Sequence, residues 1–251
     1  MVSKHALKTL CIGILLSVLF ISAQTIVSQT TVSQNPAQTS QLEQPAEVVE
    51  AYAVCREFQH LLAENLDFDR AYEATFVKNV SRRRGIAISD GELGNQKFEE
   101  LDSELLIKAY KLRMQLFYLT LPLAGPDETE ERLFFPTEIK AILKREPAVG
   151  KEEFQMYVLQ LEQDATKFRA HLDRLAGEYP SVAERLRSFK AEAMSAKFYP
   201  PTDHIVKTQN EYFGHGQMEK GDPYYEIEGY RVVNEDGKMR IVGLRFFTRL
   251  F

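Results

Sequence analysis

The feature that most constrains the fold is the recurrence of apolar residues at three- and four-residue steps through the middle of the chain. The strongest patterns predict helices over about residues 97–121 and 151–176, with Leu112 and Leu161 on their buried stripes. Weaker patterns of the same spacing predict helices over about 46–66, 69–78 and 137–145.

A turn motif marks the start of the last predicted helix. Ser181 is followed three residues later by Glu184, the spacing of a capping box in which each side chain satisfies a free backbone N–H. This motif predicts a helix from Ser181 to about residue 197. Helices that each carry one apolar stripe must bury those stripes against one another. We therefore expect a mainly α fold, an antiparallel helical bundle over residues 46–198.

After the last predicted helix, the spacing of the apolar residues changes from helical to alternating. Two such runs, 224–235 and 238–247, flank Asp236-Gly237, a dipeptide typical of tight hairpin turns. An isolated hairpin is marginally stable in water, so we expect it to pack on the bundle or to gain a third strand from around 204–207. Residues 199–251 are thus predicted to form a small C-terminal antiparallel β-hairpin or three-stranded sheet, which makes the whole fold α+β.

The length of the hairpin turn predicts the register of its strands. In that register Ile227 and Leu244 fall on the face opposite to Val232 and Ile241, and one bundle cannot cover both faces of a flat ribbon. We therefore expect strong twist or a bulge near Gly229 or Gly243. A two-residue turn predicts four cross-strand pairs: Glu235 with Lys238, Val232 with Ile241, Tyr230 with Gly243, and Glu228 with Arg245.

The amino terminus has the pattern of a secretory signal peptide. Lys4 and Lys8 precede an apolar run over 10–21, and the small residues Ser22 and Ala23 follow it. The run is shorter than the roughly 20 residues that span a bilayer, which favours cleavage after residue 23 over a retained anchor. Residues 24–45, rich in Gln, Ser and Thr, are then predicted to form a disordered linker. We expect an exported protein, periplasmic or extracellular, with no membrane span after cleavage.

Composition narrows the possible functions. The 251-residue chain carries a net charge of −5, and this acidic balance argues against nucleic-acid binding. Cleavage after residue 23 leaves Cys55 as the sole cysteine, and its place on an apolar stripe predicts a buried, inert thiol. The common sequence motifs of hydrolases, nucleotide-binding proteins and zinc proteins are absent from the chain. No cofactor is predicted.

Two groups of residues are candidates for a site. His204, Glu211 and His215 fall between the last helix and the hairpin, and imidazoles with a carboxylate can bind zinc or transfer protons. The run Arg82, Arg83 and Arg84 could hold a phosphate, sulfate or carboxylate group. The same arginines could instead form ion pairs with acids such as those at 99, 100 and 102, or remain in water.

Two hypotheses about function follow. The first is an extracytoplasmic interaction or binding module, whose partner is an unidentified protein or a cell-envelope component. The alternative is a small hydrolase or metal-dependent enzyme that uses the loop carrying His204, Glu211 and His215. With four histidines left after the leader and no recognised nucleophile arrangement, the sequence favours the binding module.

Overall fold

The predicted mainly α fold with a small carboxyl-terminal sheet is confirmed. The computed structural model describes residues 46–89, 100–123, 128–148, 150–195, 224–227 and 229–244. Its eight α-helices within those residues are α1 (Ala46–Asn65), α2 (Phe68–Thr75), α3 (Val80–Ser89), α4 (Ser103–Thr120), α5 (Glu128–Phe134), α6 (Thr137–Leu143), α7 (Lys151–Glu178) and α8 (Pro180–Ser195).

Aspartate side chains cap the start of two of these helices. Asp67 accepts a hydrogen bond from the backbone N–H of Arg70 at 3.1 Å and begins α2. Asp102 accepts from the backbone N–H groups of Glu104 (2.9 Å) and Leu105 (3.1 Å), so α4 begins at Ser103. The sequence pattern had extended this helix back to residue 97.

The predicted capping box is wrong. Helix α8 begins at Pro180, whose ring fixes φ near the helical value and whose missing N–H costs nothing in the first turn. Ser181 therefore lies inside the helix, and its hydroxyl donates to the carboxylate of Glu130 at 3.2 Å. The motif predicted the start of α8 to within one residue, but the helix does not begin with the side-chain hydrogen bonds of a capping box.

Two short helices, α3 and α5, were not predicted from the spacing of apolar residues. Helix α3 has four consecutive buried residues at its carboxyl end, Gly85 to Ile88, so the amphipathic spacing that identifies a surface helix is missing. Helix α5 has only 7 residues, too few to show a period. The predicted helix over 69–78 ends at Thr75, because the chain becomes extended at Phe76 before α3 begins.

The core is centred on aromatic rings from α1, α2 and α4. Phe58 contacts Phe68 edge to face with ring centroids 5.9 Å apart, and Tyr72 stacks on Phe76 at 4.3 Å. Helix α4 packs on α7, and α8 packs on both α1 and α7. Among the described helices, none combines the length and apolar character needed to cross a bilayer.

Individual core predictions had different outcomes. Cys55 is fully buried, as its position on the α1 stripe predicted. Leu161 is also buried, with 1% of its surface exposed. Leu112 is only partly buried at the edge of the core, since neighbouring positions of α4 supply the inward side chains.

Three antiparallel strands form the sheet, in the order β1 (Tyr225–Ile227), β2 (Tyr230–Glu235) and β3 (Lys238–Leu244). The third strand therefore comes from the run 224–235, which was predicted as one strand. The chain turns back between β1 and β2, and Gly229 there has a φ of +89°. The alternative source, around 204–207, lies outside the described residues.

The predicted register is confirmed beside the turn. Glu235 pairs with Lys238 and Val232 with Ile241. Beyond those pairs, β3 has a bulge that leaves Val242 as the extra residue, so the expected irregularity near Gly243 is present.

The bulge overturns one predicted pair. Tyr230 pairs with Leu244 rather than with Gly243, because the extra residue shifts the rest of β3 by one position. The predicted pair of Glu228 with Arg245 lies outside the described residues.

The bulge and the second turn also correct the predicted faces. Ile227 pairs with Tyr230 and Leu244 does too, so all three share the face of Val232 and Ile241, since directly opposed residues project to the same side. One face of the sheet thus carries most of its apolar side chains, and the helices can cover it.

Candidate functional site

The three arginines of the basic run lie on α3, and two of them have well-defined internal partners. Arg83 donates to both carboxylate oxygens of Glu73 (3.2 and 2.8 Å) and to the carbonyl of Val77 (2.6 Å). Arg84 donates to the carbonyl of Leu101 and to the hydroxyl of Ser103.

The third arginine is placed differently. The backbone N–H of Arg82 donates to the side chain of Asn79 at 3.1 Å, and its own side chain is half-buried. Successive helical residues point about 100° apart, and Arg83 and Arg84 accordingly reach different elements. An anion site on this run stays a prediction, and an incoming anion has to compete with Glu73 for Arg83.

Glu73 is the centre of an ionic cluster that joins α2, α3 and α4. Lys111 donates to Glu73 at 3.0 Å and to Asp69 at 2.5 Å, and the cations of Arg83 and Lys111 lie 5.0 and 5.8 Å from the ring centroid of Tyr72. Partial burial by itself would raise the pKa of Glu73. The hydrogen bonds and charges of Arg83 and Lys111 outweigh burial and lower the pKa to about 2.

Cationic side chains also cap the carboxyl end of α2. Lys78 donates to the carbonyl of Glu73, Arg240 to that of Ala74, and Arg83 to that of Val77 just beyond the helix. The last carbonyls of a helix lack partners within it and carry partial negative charge. Lys78 and Arg240 therefore satisfy carbonyls in the last turn of α2, and Arg83 satisfies a carbonyl in the connection that follows it.

An anionic side chain accepts hydrogen bonds from backbone N–H groups at the start of α3. The carboxylate of Glu235, at the end of β2, accepts from the backbone N–H of Lys78 at 2.6 Å and of Asn79 at 3.1 Å. Next to it, the backbone N–H of Val77 donates to the carbonyl of Ile241 at 3.0 Å. The sheet thus supplies the carboxylate of Glu235 to the start of α3 and the guanidinium of Arg240 to the end of α2. This arrangement fixes the sheet on the α2–α3 connection.

A buried carboxylate on α7 was missed by the sequence analysis. Asp164 is 1% exposed, and it accepts from Arg145 at 2.6 Å and from Gln160 at 3.0 Å. The available signal was its position, three residues after Leu161 and four before Phe168 on the inward stripe. Its contacts tie the segment before α7 to α7 itself.

The outward face of α7 carries a row of uncharged side chains. Met156 is 65% exposed and Leu159 is 50% exposed, and both project away from the core. The row, which we call the α7 row, continues through exposed residues at alternating steps of three and four; its members are Met156, Leu159, Gln163, Thr166 and Ala170. The apolar periodicity of this helix identifies only its inward stripe, so the row was not predicted from the sequence.

The predicted metal residues His204, Glu211 and His215 lie outside the described residues. Within the residues that the structure describes, no group of three His, Cys, Asp or Glu side chains could hold a metal ion. Comparison with known proteins finds no matching family, no similar curated protein and no similar solved structure.

Proposed function

We propose that this chain is an exported binding module that contacts a protein partner through the α7 row. The observation that carries the proposal is the exposure of Met156 and Leu159, one turn apart on the same face of a 28-residue helix. Large apolar side chains that are adjacent and exposed mark interaction surfaces more often than chance, and methionine adapts well to a partner.

The surroundings of the α7 row support a contact surface. The row is uncharged between Glu152 and Asp173, so a partner can cover it without desolvating a charge at its centre. The inward side of the same helix is anchored by Phe154, Leu161 and Phe168, all buried. A rigid helix with a fixed outward face loses little conformational entropy when it binds.

Export is proposed from the amino-terminal sequence, with Lys4 and Lys8 before the apolar run. Cell fractionation and amino-terminal sequencing of the purified protein test it. We expect a mature chain that begins at Gln24 and is found outside the cytoplasm. An unprocessed chain in the cytoplasm contradicts this part of the proposal.

Site-specific photo-crosslinking in the producing cell tests the contact surface. A benzophenone amino acid at position 156 should give covalent adducts with protein. The matched control is the same group at Val49 on α1, which is 54% exposed and lies outside the row. Adducts from position 49 but not from position 156 would refute the α7 row as the contact surface. Stoichiometric zinc in the purified protein would favour a metal-dependent enzyme instead.

A further inference from the structure

We infer that the α7 row pairs with the same row of a second copy of this chain, the two α7 helices lying antiparallel. This inference rests on the proposed function, because it identifies the partner at the same surface. The steps of the row are three, four, three and four residues, the spacing of the a and d positions in a two-helix coiled coil. Helix α7, at 28 residues, is about 42 Å long and offers four turns of contact.

The charges beside the row determine the direction of pairing. Glu153 flanks its first half, whereas Lys167 and Arg174 flank its second half. Glu162 and Arg169 also lie beside the row, but each is held within the molecule, Glu162 by Lys108 at 2.6 Å and Arg169 by the carbonyl of Leu66 at 2.6 Å. Two parallel helices would place Arg174 of one copy near Arg169 of the other and would leave Glu153 with no base beside it. Two antiparallel helices centred near Gln163 place Glu153 of one copy beside Arg174 of the other, which favours this orientation.

The contact area between the two helices is small, so we expect a low affinity. A single pair of helices buries less than a standard protein interface, and only Met156 and Leu159 are large apolar members of the row. We therefore expect a weak, reversible dimer with a dissociation constant on the order of 100 µM. Glu152 and Asp173 end the row, so the contact extends over about 156–170.

Analytical ultracentrifugation of the purified protein tests the association. The average mass should rise from that of a monomer towards that of a dimer as the concentration increases from about 5 to 500 µM, the range around the expected dissociation constant. Leu159→Lys should raise the dissociation constant at least roughly tenfold. Val49→Lys, which adds the same charge at another exposed apolar position, should leave it unchanged. A protein that stays monomeric at the highest concentration overturns the inference.

Charge reversal tests the ionic part of the contact. Glu153→Lys alone places a base beside Arg174 of the other copy, so dimerisation should weaken several-fold. Arg174→Glu alone places an acid beside Glu153 of the other copy and should weaken it similarly. Both substitutions together restore opposite charges between the copies and should recover most of the affinity. A double variant as weak as the sum of the two single variants contradicts the antiparallel pairing.

Disulfide formation distinguishes the two orientations directly. Gln163 lies near the middle of the row, so Gln163→Cys should cross-link to its own copy in an antiparallel dimer. Ala170→Cys should not, because the two copies of residue 170 then lie roughly 15–25 Å apart along the helices. Parallel pairing predicts cross-links at both positions. The unsubstituted mature protein, whose sole cysteine is the buried Cys55, gives the background.

The two proposals fail in different ways. A monomer in the ultracentrifuge whose position 156 still cross-links to another protein in the cell overturns the self-pairing and leaves the binding module standing. The absence of any adduct from position 156 overturns both.

Discussion

Replacing Glu73 with Gln tests how much the ionic cluster at the α2–α3 connection stabilises the fold. The carboxylate of Glu73 holds Arg83 and Lys111 at hydrogen-bonding distance, and the side chain of Arg83 is only 13% exposed. A glutamine cannot carry the charge that both cations face. The variant therefore leaves a largely buried guanidinium without its anionic partner.

The pKa of Glu73 sets the size of the effect. A fall from 4.5 to about 2 on folding corresponds to at most about 3 kcal/mol at pH 7. Because the side chain is 42% exposed, solvent screens part of this interaction, and we expect a loss of about 1–2 kcal/mol.

The pH dependence follows from the direction of the shift. The folded protein holds Glu73 ionised more strongly than the unfolded chain does, so the stabilisation is fully present above pH 4.5. It is lost as the pH falls from about 4.5 towards 2. Glu73→Gln removes this part of the pH dependence, so the gap between variant and wild type should close in acid.

Urea unfolding between pH 7 and pH 2.5 measures both quantities. The matched control is Glu64→Gln, since Glu64 pairs with Arg70 at 2.9 Å with both side chains about half exposed. This control should change the free energy of unfolding by less than about 0.5 kcal/mol. A Glu73→Gln loss no larger than that of the control, or a loss that persists undiminished at pH 2.5, would refute the reasoning.

Three further predictions follow from the packing and the sheet. Glu235→Ala removes the acid at the start of α3 and should cost about 1–2 kcal/mol in urea unfolding; a loss below about 0.3 kcal/mol would show that the cap is unimportant. Leu161→Ala should cost about 2–5 kcal/mol and the half-buried Leu112→Ala clearly less, so equal losses would contradict the observed core. Gly237→Val, at a φ of +79°, should cost about 1–3 kcal/mol and speed hydrogen exchange in β2 and β3; unchanged exchange would contradict the tight turn.

The long helices could be predicted from the sequence because their periodicity is local. Each of α1, α4 and α7 repeats its apolar residues over at least four turns, and a helix with such a stripe requires a covering element wherever it lies. The tight turn at Asp236-Gly237 is also local, since two adjacent residues adopt positive φ there.

Other features depend on residues that are distant in the chain. The stripe of α3 could not be recognised, because its carboxyl end is covered from several directions at once. A bulge in β3 moves the residues at its carboxyl end to the other face of the sheet. The sequence predicted a bulge near either Gly229 or Gly243 and did not distinguish between the two positions. Asp164 interrupts an apolar stripe, and its partner Arg145 is evident only once α7 and the segment before it are in place.

Local patterns in the sequence predicted the long helices, the tight turn at Asp236-Gly237 and the apolar stripes that are buried. The contact between the sheet and the α2–α3 connection was evident only from the folded chain, in which the carboxylate of Glu235 accepts from the backbone N–H of Lys78, 157 residues away. Only the tertiary structure shows that the face of α7 bearing Met156 and Leu159 is outward. The physical reason is that periodicity and turn preference act between near neighbours, whereas charge pairing and exposure depend on which distant segments meet in space.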